Sequence, residues 1–278
     1  MAVGKTEAGI AGERTEMSEF CALFSGSSGN CTYISGGGAS LLVDAGVSAR
    51  AICQALASVG SGIETVAAVL VTHEHIDHIR GLKTLAAKYH IPIFANAGTI
   101  AGIRDALPIG AECFTELPTG GDAEIAGMEV RSFATSHDSR ESVGYRIRTR
   151  DGRRVAIATD LGFVSDGVLS ALSGCDVAML EANHDVGMLQ NGKYPYPLKR
   201  RILSKTGHLS NEACADTLPL LYRAGTRHFV LAHLSGDNNL PELAMATAVS
   251  SMKLSGAPEG DYRIEVAPRG GPDHLLRL

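Results

Sequence analysis

Residues 69–81 read VLVTHEHIDHIRG, which sets His73, His75, Asp77 and His78, with Glu74 between the first two, side by side in a chain of 278 residues with 10 histidines. The preceding AAVLV (67–71) is a continuous apolar run that suits a buried strand. Beyond the cluster, His78, Leu82, Leu85 and Ala86 recur at helical spacing while Arg80, Lys83 and Lys88 take other faces, which predicts a helix over 78–89. The polar cluster therefore occupies a strand-to-helix loop, where Asp77 is also favoured as a carboxylate at a helix N-terminus.

A cap does not account for three imidazoles. Protonated, they repel one another; neutral, they need several hydrogen-bond partners in a partly buried loop. A divalent cation removes both difficulties, because imidazole nitrogen and carboxylate oxygen are ligands that Zn²⁺ and similar metals accept. His73 and His75, two apart in an extended stretch, point the same way, whereas Asp77 and His78 lie beyond the bend. Two adjacent metals fit this arrangement better than one.

Composition bounds the rest. Lys and Arg total 25 against 30 Asp and Glu, a net charge of −5, so the whole surface is no electrostatic trap for nucleic acid and any polyanion contact must be local. Gly, at 32 residues, implies many tight turns, and Trp is absent. The six cysteines are irregularly spaced without CxxC pairs and read as reduced thiols of a cytoplasmic protein. No apolar run approaches the roughly 20 residues that span a bilayer. Residues 1–17, rich in Gly, Ala and Glu, are expected as a disordered extension, and 18–278 as a single domain.

Strand-like runs fall at 20–25, 31–35, 40–44, 67–71, 91–95, 128–135, 143–149, 153–159, 176–181, 227–232 and 262–267. Helical patterns fit 48–59, 78–89, 98–106, 165–173, 195–204, 211–224 and 239–253. The second half repeats the order of the first, starting with a hairpin turned at Asp151-Gly152. This points to an α/β protein with two sheets flanked by helices. Two metals need more ligands, and His137 after MEVRSFATS, Asp160 after RRVAIAT and His233 after RHFVLA are each the first ligand-type side chain after a strand-like run. Strand ends gather on one edge of a sheet, where α/β proteins build sites.

HEHIDH after an apolar strand, followed by a later His, an Asp after a strand and a His after another, resembles the metallo-β-lactamase superfamily with its HxHxDH signature. The resemblance covers the chain from about Phe20 onward and implies a four-layer αββα sandwich of two mixed β-sheets. FSGSSGNCTYI (24–34), LLVDAG (41–46), LEANHD (180–185), YPYPLKRRILSKTGHLSN (194–211) and LAHLSGDNN (231–239) are similar to the YycJ/WalJ-type branch, described as 5′ to 3′ DNA exonucleases. It implies His73, His75 and His137 on one metal, Asp77, His78 and His233 on the other, Asp160 bridging them, and Asp44 orienting a ligand histidine.

Two such cations sharing one water lower its pKa toward about 7 and give a bridging hydroxide as nucleophile, which Asp77 also steers. Zn²⁺ and Mn²⁺ suit the donors, as does Fe²⁺. Phosphate donors are sought in the basic run Lys199, Arg200 and Arg201, in Ser210 and Asn211, and in Ser25, Ser27 and Asn30 of the Gly-rich loop. His184 joins this set, and His208 is the candidate phosphate contact or proton donor. The expected substrate is single-stranded DNA, with RNA left open, no membrane, and a homo-oligomer left open. Because HxHxDH does not choose the scissile bond, a glyoxalase-II-type thioester hydrolase stays as the alternative, and a metal-dependent binding module as a non-enzymatic one.

Overall fold

The apolar run before the histidine cluster forms a central strand because parallel strands are covered on both faces. In the computed structural model, which describes residues 17–278, it is β4 (Val66–Leu70), preceded by β1 (Glu19–Phe24), β2 (Cys31–Gly36) and β3 (Ala39–Val43) and followed by β5 (Ile93–Ala95) and β6 (Phe114–Glu116). With β14 (Leu276–Arg277) these form a seven-stranded sheet in the order β14-β1-β2-β3-β4-β5-β6. The second sheet comprises β7 (Asp122–Ile125), β8 (Met128–Ala134), β9 (Val143–Arg148), β10 (Arg154–Ala158), β11 (Val177–Glu181), β12 (His228–Ala232) and β13 (Arg263–Val266). Its order is β13-β12-β11-β10-β9-β8-β7. The hairpin at Asp151-Gly152 joins β9 and β10 antiparallel, with Val155 opposite Ile147.

The inner faces of both sheets share one core, in which Phe20, Ile34 and Leu41 meet Val130, Tyr145 and Ile147. On the outside of the first sheet lie α1 (Ala49–Ser58), α2 (Ile76–Ile79), α3 (Leu82–Tyr89) and α4 (Ala97–Ala106), burying Ile52, Leu56, Leu85 and Ile103. The second sheet carries α5 (Asp166–Leu172), α8 (Asn211–Arg223) and α9 (Pro241–Leu254), and the two short helices α6 (Val186–Asn191) and α7 (Tyr196–Ile202) lie in the connection before α8. This is the αββα sandwich. The extension expected over residues 1–17 falls, but for Met17, outside the described residues. All six cysteines are free, and no helix among the described residues is long and apolar enough to cross a membrane.

Two expectations need correction. The helix over 78–89 is two helices broken at Gly81, whose N–H donates to Ala45 O at 2.7 Å and where a Cβ would come 2.6 Å from Val47 O. That close approach of two backbones turns α2 toward the end of β3. Four elements, β6, β7, β14 and α6, are also absent from the sequence pattern; at 3, 4, 2 and 6 residues they are too short to show periodicity.

Strands β3 and β4 are parallel, as are β10, β11 and β12; β8 is two antiparallel steps from β10 and so runs with it. Their C-terminal ends share one edge of the sandwich and lead into Asp44, His73, His137, Asp160, Glu181 and His233. Asp44, Asp160 and His233 have φ of 64°, 55° and 56°. Left-handed backbone costs a non-glycine residue on the order of 1 kcal/mol and collects at functional sites.

Candidate metal centre

The first histidine group is assembled where β4 ends. Thr72 Oγ1 donates to Asp44 Oδ2 at 2.9 Å and lies 3.1 Å from His73 Nδ1, so the hydroxyl fixes both side chains. His75 Nδ1 is 3.3 Å from His137 Nε2. The rings of His73, His75 and His137 stand with centroids 4.6, 4.9 and 5.0 Å apart. His137 donates from Nδ1 to Gly207 O at 3.1 Å, which turns its Nε2 inward. Residue 207 is glycine because a Cβ there would lie 2.2 Å from Ile202 O.

The second group is built on α2. Asn30 N donates to Asp77 O at 2.8 Å, Ala45 N to His78 O at 2.8 Å and Gly46 N to Asn30 O at 2.7 Å, locking three loops together. A Cβ on Gly46 would come 1.6 Å from Asp77 O, so only glycine allows the contact. His78 Nδ1 lies 2.8 Å from Asp44 Oδ2, leaving Nε2 at 3.3 Å from Asp160 Oδ2 and 3.7 Å from Asp77 Oδ2. His233 Nε2 is likewise 3.7 Å from Asp77 Oδ2. Asp160 faces both groups, its Oδ1 standing 3.9 Å from His137 Nε2.

Glu181 went unassigned in the sequence, although it closes the apolar run VAML by the rule that singled out Asp160. Fully buried, it sits 2.8 Å from His208 Nδ1 and 2.9 Å from His233 Nδ1 through Oε1. Its Oε2 accepts from Leu161 N and Leu209 N, both at 3.0 Å. One carboxylate thus fixes the tautomers of two imidazoles and leaves their Nε2 atoms free.

Asp44, Asp77, Asp160 and Glu181 make no ion pair with a lysine or arginine among the described residues. Burial lowers His78, but the carboxylates of Asp44, Asp160 and Asp77 outweigh it and raise its pKa to about 9. His233 is also held well above its ordinary value against burial, by Asp160, Asp77 and Glu181. Burial and the neighbouring rings push His73 well below its ordinary value, so it offers a lone pair. The centre demands positive charge, which protons or metal cations supply.

The donors fit cations. His73 Nε2, His233 Nε2 and Asp160 Oδ2 are buried without a hydrogen-bond partner. Ligand atoms converge within 4.8 Å in the sets His73, His75, His137 and Asp77, His78, His233, and also in His73, His78, Asp160. Two ligands about 2.0–2.2 Å from one tetrahedral metal stand roughly 3.3–3.6 Å apart, and the separations of 3.3 Å between His75 and His137 and between His78 and Asp160 match.

A cavity of about 390 Å³ opens over this edge, lined by His75, Asp77, Asp160 and His233 together with Tyr194, Leu198 and Arg201. Of the residues expected at substrate, Ser27 and His208 line it. The others are engaged elsewhere. Ser25 Oγ accepts from His233 N at 2.8 Å, Asn30 braces Gly26 and Asp77, and Ser210 caps α8 through Ala213 N. Asn211 pairs with Asn239, and His184 is buried beside the Ser210 bridge. Lys199 donates to Gln190 O and Gly192 O at 2.8 and 2.7 Å, and Arg200 lies over the Tyr196 ring. Arg201 is the member of the basic run that reaches the cavity, where Asp138 pairs with it through two hydrogen bonds.

Residues 40–234 match the family described as the β-lactamase superfamily domain. The chain is 38% identical over 250 residues to exodeoxyribonuclease YycJ of Bacillus anthracis, covering 87% of this chain and 92% of the relative. To exodeoxyribonuclease WalJ of Streptococcus pneumoniae it is 37% identical, with 88% and 93% covered. Among solved structures it is similar to the metallo-β-lactamase fold protein YhfI from Bacillus subtilis, with a TM-score of 0.70 over 95% of this chain and 100% of the other at 14% identity. That likeness shows the fold.

Proposed function

The chain belongs to the β-lactamase superfamily and within it to the family of YycJ and WalJ, and from that premise we propose that it hydrolyses phosphodiester bonds as a single-strand-preferring DNA exonuclease working 5′ to 3′. The observation that carries the reading is the junction of two inward-facing ligand groups at Asp160, on the floor of a cavity whose cation is Arg201. In this reading His73, His75 and His137 hold one divalent cation, Asp77, His78 and His233 a second, and Asp160 belongs to both. The imidazole and carboxylate donors suit Zn²⁺ or Mn²⁺, and Fe²⁺ as well. Bound there, the cations supply an acidified water at neutral pH and positive charge for the phosphate oxygens.

The chain's own residues orient and move protons. Asp77, held ionised against burial by His233 and His78, accepts a hydrogen bond from the attacking water. Asp44 and Glu181 keep His78, His208 and His233 in the tautomer with an inward Nε2. Burial lowers His208, yet Glu181 outweighs it and raises its pKa, which favours the protonated ring as the donor to the leaving oxygen. One arginine at the cavity and a net charge of −5 favour a narrow single-stranded contact over a long duplex footprint. The six free thiols suit the cytoplasm.

Metal-reconstituted protein is expected to cleave bis-p-nitrophenyl phosphate, to ignore S-lactoylglutathione, and to lose the first activity in Asp77→Ala. Thioester cleavage without phosphodiester cleavage would reverse the assignment.

A further inference from the structure

Resting on the phosphodiesterase reading, we propose that the cavity beside the metal ligands is a subsite for one terminal nucleotide, in which Arg201 takes the 5′-phosphate and Ile76 and Tyr194 contact the base. At about 390 Å³ the cavity is at the small end of ligand pockets, the size of one nucleotide rather than a duplex.

Arg201 has the chemistry of an exchangeable phosphate receptor. Its guanidinium grips Asp138 through Nε and through a second nitrogen at 2.9 Å, the two-pronged geometry that also fits two phosphate oxygens. The pair is 50% and 30% exposed on its side chains, so water screens it and it adds little to stability. A dianionic phosphate displaces a single carboxylate from such a fork at small cost.

Ile76, Tyr194 and Leu198 supply the apolar part of the lining, beside the polar Ser27, Asn183 and Ser235. Ile76 is 53% exposed although it sits between His75 and Asp77 at the cavity edge. Tyr194 also lines the cavity, its hydroxyl anchored on Asp237 Oδ2 at 3.0 Å, with Leu198 beside it. Hydrolysis of a phosphate makes no use of such a surface. A flat nucleobase does, because stacking on an aromatic ring holds any base without reading its edge.

A plain tether between the Asp138 loop and α7 would explain the ion pair without a ligand, and two substitutions separate the cases. Removing either partner breaks a tether alike, whereas a receptor is lost in Arg201→Met and freed in Asp138→Asn. The experiment compares kcat/KM of metal-loaded enzyme on pdTpdT and dTpdT. Wild type is expected to favour the 5′-phosphorylated dinucleotide by about tenfold or more, chiefly through KM, as a charge-assisted fork implies. Arg201→Met brings the ratio near one, while Asp138→Asn keeps or raises it. A ratio near one in wild type, or equal collapse in both variants, overturns the proposal. An abasic 5′ unit is expected to raise KM about fivefold or more in wild type and less in Tyr194→Leu; an equal penalty in both overturns the base contact. Wild type that cleaves neither dinucleotide but hydrolyses S-lactoylglutathione overturns the phosphodiesterase reading and this subsite with it.

Discussion

Asp44 Oδ2 lies 2.8 Å from His78 Nδ1, with both side chains almost fully buried and the aspartate held in a left-handed turn. Removing one partner of such a pair leaves an uncompensated buried group, at a cost of about 3–5 kcal/mol. Asp44→Ala is therefore expected to lower the unfolding free energy of metal-free protein, measured by urea titration, by that amount and to weaken metal binding about 10–100-fold. The sign with pH follows from the raised pKa of His78. Its charge contributes fully below the unfolded value of about 6.5 and is lost as pH rises through about 9. The stability gap between wild type and Asp44→Ala should therefore shrink from pH 6.5 to 9.5; a constant gap would count against the pairing.

Glu181 and His208 make a second test. Glu181 raises the pKa of His208, so the ring keeps its donor proton to a higher pH than a free imidazole does and loses it as pH climbs through the raised value. In Glu181→Gln the basic limb of the kcat profile on a dinucleotide should move to lower pH. His208→Ala should cost about 10²–10⁴ in kcat on the dinucleotide. The loss on bis-p-nitrophenyl phosphate should be far smaller, because nitrophenolate departs without a proton. Equal losses on both substrates would remove His208 as the acid.

Asp160 tests the shared ligand. Its Oδ2 is buried without a hydrogen-bond partner and faces both histidine groups. Native mass spectrometry is expected to find two metals per chain in wild type and at most one in Asp160→Ala. Wild-type protein should gain several degrees in melting temperature on metal loading, since only the folded state presents the ligands together. Two tightly bound metals in the variant would contradict the bridging role.

Much of this architecture is legible in the sequence because two local rules hold. Buried parallel strands read as unbroken apolar runs, so β4 and β10 to β12 stand out, and the first ligand-type residue past such a run marks the shared edge. That rule reached His137, Asp160 and His233 and applies equally to Glu181, which hid as an ordinary glutamate after VAML. The basic run is different in kind. Lys199, Arg200 and Arg201 sit about 100° apart around one turn of α7, and only the placement of that helix decides that Arg201 faces the cavity while Lys199 caps two carbonyls. Likewise, the break at Gly81 depends on the carbonyls of Ala45 and Val47, which no local pattern announces.

Incubating metal-reconstituted protein with 5′-labelled and with 3′-labelled single-stranded DNA, with Asp77→Ala as control, separates a 5′ to 3′ exonuclease from the other hydrolases this site could serve. Wild type is expected to release labelled mononucleotide immediately from the 5′-labelled strand and to give a ladder of shortening products from the 3′-labelled strand, and the variant to do neither. No cleavage of either strand by protein carrying two metals per chain, or shortening from the 3′ end, would contradict the exonuclease reading.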